Sequence, residues 1–166
     1  MSSYAHISYN KLLKEGSHTM NKFESNLEQL KEIEVNGFAY ELIREVLLPD
    51  ILGQDHSSMM YFAGKLLARK FPQESWEKIP EFFHDAGWGT LTMVHSKKQE
   101  IEFELEGPLV SNRLSYQKEP CFQMEAGFIA EQIQLLNEHV AESYEQVKKR
   151  ADKVILTVKW DLRDPS

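Results

Sequence analysis

The stretch Glu100-Ile101-Glu102-Phe103-Glu104-Leu105-Glu106 alternates carboxylate and apolar side chains without a fault. Successive side chains of an extended chain point to opposite faces, so the pattern predicts a strand with one face in the core and a row of carboxylates in water. Neighbouring carboxylates in the row would stand roughly 6.5–7 Å apart, and nothing in the pattern closes them into a metal site or an acid–base pair. The row therefore reads as a solvated edge, where charge also discourages edge-to-edge pairing. Immediately upstream, Leu91 and Met93 alternate with Thr90, Thr92 and Val94, and Ser96-Lys97-Lys98 supplies a turn, which makes residues 90–106 a hairpin.

Upstream of Gly87 the period is helical. Phe23, Leu27, Leu30 and Ile33 form one stripe, with Asn36-Gly37 as a boundary. Phe38, Leu42, Val46 and Leu47 share a face, and Pro49 with Gly53 is expected to end that run, because proline cannot donate an interior helix bond. Asp55 or Ser57 caps a helix carrying Met60, Ala63, Gly64, Leu67 and Phe71, which Pro72 closes. Trp76, Ile79, Phe82 and Phe83 mark a short broken helix ending at Gly87.

Downstream, Gly107-Pro108 breaks the strand, and Leu109–Leu114 is expected to extend the sheet. A helix is predicted from about Cys121 to Asn137, with Phe128, Ile129, Ile133, Leu135 and Leu136 as its apolar residues. Residues 142–149 fit a helix by propensity, yet if 139–148 are extended then Arg150-Ala151-Asp152 is a turn. Val154, Leu156, Val158 and Trp160 close the chain as a strand. Helices, hairpin, helix, hairpin is the order of an α+β domain: N-terminal helices packed on a small antiparallel sheet of two hairpins with an intervening helix.

The 166 residues are 42% hydrophobic and 27% charged, a composition that supports one packed core. A net charge of −7 weakens the case for nucleic acid or an anionic membrane as partner. Cys121 stands alone, which leaves no intramolecular disulfide and no cysteine-rich metal cage, and favours a reducing, cytoplasmic location. No run approaches the roughly 18 apolar residues of a membrane span, and Met1–Met20 has no signal-peptide core. Gly16-Ser17-His18-Thr19-Met20 has the look of a vector-encoded leader, so residues 1–19 are set apart as a flexible or cloning-derived extension and 20–166 as a single domain.

Candidate chemistry is sparse. His56, His84, His95 and His139 fit neither an i, i+4 metal pair nor a recognised haem setting, so neither a metal nor a cofactor is expected. Gly87-Trp88-Gly89 lacks the Gly-Lys-Ser/Thr that would make it a phosphate loop, and Lys148-Lys149-Arg150 reads as a turn. Cys121 at a helix N-terminus is the one side chain with nucleophilic potential, because unsatisfied N–H groups there lower a thiol pKa. Its ordinary reading is a small buried hydrophobe. Met59-Met60-Tyr61-Phe62 places four bulky residues around more than half of one helix, so part of the run meets either the core or another subunit. Gly64 and Gly127, each within a predicted helix, mark close approach of a neighbouring helix or a ligand.

Glu41-Leu42-Ile43-Arg44-Glu45, Leu48-Pro49-Asp50-Ile51-Leu52-Gly53, Ala86-Gly87-Trp88-Gly89-Thr90-Leu91 and above all Glu119-Pro120-Cys121-Phe122-Gln123-Met124-Glu125-Ala126-Gly127-Phe128-Ile129-Ala130 resemble the YslB family of small Bacillus-type proteins, from about Asn21 to Pro165. That family resembles in turn, at a distance, the 4-vinyl reductase, TRAPP small-subunit and haem nitric-oxide-binding domains. The resemblance implies extended residues 139–148, a helix-mediated homodimer and an apolar pocket, and it implies no particular reaction. On this reading Trp88, Cys121 and Phe128 are expected to line a pocket for an apolar small ligand. Met59, Met60 and Phe62 are expected at a dimer interface, or at a contact with another protein partner as in an assembly subunit. A thiol-dependent enzyme or redox sensor built on Cys121 is the alternative. No nucleic acid and no membrane span are expected.

Overall fold

The computed structural model describes residues 26–165, so Phe23 and the 1–19 leader lie outside the described residues. The chain forms two units, Met1–Tyr40 and Glu41–Ser166. In the first, residues 26–30 are helical, and Asn36 opens the helix α1 (Gly37–Glu41) by accepting from the Phe38 N–H through its side chain (2.9 Å) and from the Ala39 N–H through its carbonyl. That is an N-cap, at the boundary expected from Asn36-Gly37.

In the second unit a π-helical turn, Leu42–Leu47, leads into α2 (Leu48–Leu52). Pro49 therefore does not end the run. The Leu48 N–H reaches back five residues to the Ile43 carbonyl, and the wider turn lets Pro49 enter in the first turn of α2, where a missing N–H costs nothing. Arg44 and Glu45 are buried, while Leu42, Ile43, Val46, Leu47 and Ile51 (66% exposed) are exposed, so the apolar stripe does not face this chain's core.

α3 (His56–Lys70) and α4 (Lys78–Asp85) follow. α4 ends where Gly87 turns to φ +69°, and the Trp88 N–H bonds the Phe83 carbonyl at 2.9 Å, which folds the indole back over the helix. β1 (Thr90–Lys97) and β2 (Glu100–Glu106) form the first hairpin, its turn at residues 98–99. Leu109–Leu114 does not extend the sheet. It lies in α5 (Pro108–Tyr116), because Pro108 in the first turn starts a helix rather than continuing a strand. α6 (Gln123–Asn137), β3 (His139–Lys148) and β4 (Lys153–Pro165) complete the chain, β3 and β4 joined by a tight turn through Lys149–Ala151 with Asp152 left-handed. The extended reading of 139–148 holds.

The sheet order is β1-β2-β4-β3, antiparallel throughout. β2 is thus an interior strand and not an edge. Its inner residues Ile101, Phe103 and Leu105 are fully buried with Val154, Leu156 and Val158 of β4. Its outer carboxylates pair instead with lysines: Glu104 with Lys153 at 2.7 Å and Glu100 with Lys159 at 3.0 Å and Lys97 at 3.1 Å. α6 lies on β3 and β4, with α3 packed on α6 in turn, so α6 is buried nearly all round.

The crossing of α3 and α6 depends on two glycines. A Cβ on Gly64 would collide with the Met124 carbonyl and stand 2.7 Å from the Phe128 nitrogen; one on Gly127 would collide with the Tyr61 carbonyl. A neighbouring helix, rather than a ligand, takes up the space at both positions. The aromatic core sits beside this crossing, with Phe82 and Phe128 stacked at 4.4 Å and Trp88 edge-on to both Phe83 (5.0 Å) and Phe128 (5.3 Å).

Candidate functional site

Trp88 and Phe128, expected with Cys121 to line a pocket, pack edge to face against each other within the aromatic core just described. Cys121 lies in the loop before α6, on the side of Glu145. Burial, opposed by the Gln123 backbone N–H and reinforced by Glu145 and Glu125, pushes its thiol up to about 11. The expected lowering at a helix N-terminus does not occur, because desolvation and two carboxylates outweigh the backbone donor. At neutral pH this thiol is protonated. Met60 is 4% exposed and faces inward, whereas Met59 and Phe62 are exposed, since consecutive residues on a helix point about 100° apart.

An open groove of about 570 Å³ runs between the start of α3 and the strand β3. Gln54, Ser57, Ser58, Tyr61 and Phe62 line one side, Glu142–Glu145 the other, with Gln123 also in the lining. Tyr61 fastens the two walls: its hydroxyl donates to Glu142 Oε2 at 2.8 Å and accepts from the Ser143 N–H at 3.1 Å. Burial pushes the Tyr61 hydroxyl well above its ordinary range, the Ser143 N–H opposing and Glu142 adding, so it remains a neutral donor. Glu145 accepts from the Phe122 N–H at 2.6 Å, and burial raises its pKa against that bond and one from Gln123. Ser143 is 5% exposed, and its sealed Oγ has no hydrogen-bond partner among the described residues, at a cost of about 1–3 kcal/mol.

Below the N-terminal half of α6 lies a buried ionic cluster. Arg44 Nη2 meets Glu125 Oε2 at 2.5 Å and Arg44 Nε meets Glu45 at 3.3 Å. Arg113 reaches Glu41 at 2.6 Å, Glu45 at 3.0 Å and Glu125 at 3.6 Å, and its guanidinium covers the Phe122 ring at 5.0 Å. Tyr116 donates to Glu41 at 2.7 Å. Burial works against ionisation of Glu41, yet hydrogen bonds from Arg113 and Tyr116 and the charges of both arginines hold it below the ordinary carboxylate range. At Glu45 burial prevails over Arg113 and Arg44 and the pKa is raised. The cluster fastens the π-helical turn to α5 and α6, and its geometry serves packing rather than presenting an exposed reactive atom.

Neither the groove nor the ionic cluster was legible from spacing. Glu142, Ser143 and Glu145 sit in the segment whose helix and strand readings competed, and Arg44 and Glu45 lay on the face that the apolar residues of 38–47 pointed outward. One signal was present: Glu125, Glu131 and Gln132 in a helix apolar on several sides must find buried partners. They do so in Arg44, in Arg69 (2.6 Å) and in the Phe71 carbonyl (2.8 Å). The histidines stay apart. His84 is largely exposed, His139 Nδ1 lies 2.6 Å from the Asn137 carbonyl, and burial followed by the Arg44 charge lowers the pKa of His56. Among the described residues no three His, Cys, Asp or Glu converge as a metal site, and no helix is long and apolar enough to cross a membrane.

Comparison with known proteins places this geometry in a family. A family profile described as "Protein of unknown function (DUF2507)" matches residues 37–159. The uncharacterized protein YslB of Bacillus subtilis (strain 168) is 75% identical over 144 residues, 87% of this chain and 97% of that protein. Among solved structures, a vinyl-4-reductase family protein of Methanocaldococcus jannaschii superposes with a TM-score of 0.63 at 19% identity, over 82% of this chain and 89% of that one. The phenol-responsive sensory domain of the transcription activator PoxR, solved with phenol, gives 0.56 at 16% identity, over 77% and 76%. These two share the fold.

Proposed function

The chain belongs to the DUF2507 family, and from that premise and the groove between α3 and β3 we propose that it is a non-enzymatic, small-ligand-binding domain that works as a homodimer. The observation that carries the ligand reading is a groove of about 570 Å³ walled by the rings of Tyr61, Phe62 and Tyr144 and the carboxylates of Glu142 and Glu145, large enough for a small molecule. The PoxR domain, described as phenol-responsive and solved with phenol, supports it. An enzyme working through Cys121 is disfavoured by the raised thiol.

The dimer reading rests on the apolar face of Leu42, Ile43, Val46, Leu47 and Ile51, and on Met59 and Phe62 of α3, all exposed in the single subunit. Exposed apolar area of this kind is characteristic of interaction surfaces. A protein partner that covers the same residues, as in an assembly subunit, is the second reading.

Native mass spectrometry of freshly purified protein, before and after denaturation, tests both parts. The expected result is a dimer mass carrying a small molecule that leaves on denaturation. A clean dimer removes a tightly held ligand from the reading, and a clean monomer overturns the homodimer. Ile51→Lys combined with Met59→Lys is expected to raise the dimer dissociation constant at least tenfold in sedimentation equilibrium, with the melting temperature of the monomeric unit preserved, because charged side chains cannot be desolvated at an apolar contact without large cost. An unchanged dimer would move the interface elsewhere.

A further inference from the structure

Three aromatic rings and two carboxylates face the groove, and no Lys or Arg is among the described residues that line it. Tyr61 and Phe62 stand edge to face at 6.4 Å, and Phe62 and Tyr144 are both exposed, so their faces are open to a ligand. Glu142 and Glu145 come from one strand, one and four residues beyond Ala141 of the core, and both line the groove. Aromatic faces carry negative potential, and with a carboxylate beside them they hold an ammonium group in preference to a neutral one.

The chain already demonstrates this on one wall. The Lys65 ammonium stands 5.7 Å from the Tyr61 ring centre and 3.9 Å from Glu142, with Glu131 at 3.8 Å. Lys65 approaches Glu142 and Tyr61 without lining the groove, and Glu145 is left with the Phe122 N–H and Gln123 as its donors there. A metal ion fits less well, since two carboxylates without a third ligand do not make a cage.

We propose that the α3–β3 groove binds a small organic cation, an ammonium group joined to an apolar or aromatic body, with Glu142 and Glu145 facing the charge and Phe62 and Tyr144 covering the body. The proposal rests on the ligand-binding reading of this groove and specifies its chemistry.

Titration of the full chain with 2-phenylethylammonium and with its neutral counterpart 2-phenylethanol, followed through the backbone amide resonances of residues 142–145, tests it. The ammonium is expected to bind at least tenfold more tightly than the alcohol. Glu142→Gln with Glu145→Gln, which keeps the acceptor for the Phe122 N–H, is expected to abolish that preference, and Tyr144→Ala to weaken the ammonium severalfold. Equal binding of the two probes, or a preference that survives the double variant, overturns the cation and leaves the groove as a ligand site. Absence of response to either probe overturns the cation, while a mass released in native mass spectrometry still reports independently on whether the domain holds a ligand.

Discussion

Replacing Gly64 by alanine is expected to destabilise the domain by about 3 kcal/mol, the upper range for a small-to-large change in a packed interior, and to lower its melting temperature by about 10 °C. Intrinsic helix propensity argues the opposite sign, because alanine is favoured over glycine by about 1 kcal/mol in a helix interior. The packing decides against it. The added methyl would meet the Met124 carbonyl and, at 2.7 and 2.9 Å, the Phe128 nitrogen and the Met124 carbonyl carbon. All are backbone atoms of α6, with no side chain to swing away, so relief requires α3 and α6 to separate along a crossing that both glycines define. Gly127→Ala meets the Tyr61 carbonyl from the other side and is expected to cost a similar amount. One separation relieves both clashes, so the double variant should lose clearly less than the sum of the singles. Thermal and urea unfolding of the three variants check this. A stabilised Gly64→Ala would mean that the helices cross less closely than described.

Arg113→Met is the second large effect. Its guanidinium faces Glu41, Glu45 and Glu125 and is 2% exposed; without it three carboxylates share Arg44 alone. Removing one partner of a buried ionic group costs about 3–5 kcal/mol, chiefly because the remaining charges stay desolvated. The cost should depend on pH. Glu41, held below its ordinary value of 4.5, contributes stability that is present above that value and lost as pH falls, and Arg113 is a main source of that lowering. Glu45, already raised above 4.5 by burial, would rise further without Arg113, and its penalty would grow as pH climbs through the new value. The Glu45 contribution makes the gap between variant and parent wider near pH 7 than near pH 5, and the Glu41 contribution narrows it further only as pH falls below 4.5. Chemical unfolding at the two pH values measures it, and Glu45→Gln in the Arg113→Met background should recover part of the loss at pH 7. A gap independent of pH, or a further loss from Glu45→Gln, would show that Arg113 acts through its contact with Phe122 and not through charge.

The β2 strand was readable because its environment is simple: one face meets the core and the other meets water, and seven residues are enough to say so. The helices before it were harder to read. Apolar residues at 42, 46 and 47 satisfied the rule that an apolar stripe faces inward, yet in this subunit the stripe faces out and the ions Arg44 and Glu45 face in. Periodicity reports that a stripe exists, not which of two surfaces covers it. Pro49 misled for a related reason, since a π-helical turn of unremarkable composition absorbs the break. Gly64 and Gly127 were legible as close approaches because glycine in mid-helix needs a reason. The groove was not, because it joins residues some eighty positions apart through the Tyr61 hydroxyl, and no local pattern reports such a meeting.

The sheet order carries a consequence for how the chain reaches this structure. β1 with β2 and β3 with β4 are each joined by tight turns, so either hairpin closes over a short stretch of chain and zips from its turn. The seam between β2 and β4 is different. It sets Leu105 against Val154 and Glu100 against Lys159, with α5 and α6 in the intervening chain, and so joins two locally formed halves across the largest loop in the sheet. Closing that loop carries the largest entropic cost in the sheet, so docking of one hairpin on the other, with α6 laid across β3 and β4, is the step expected to limit folding, and substitutions at the β2–β4 seam are expected to slow folding rather than merely speed unfolding.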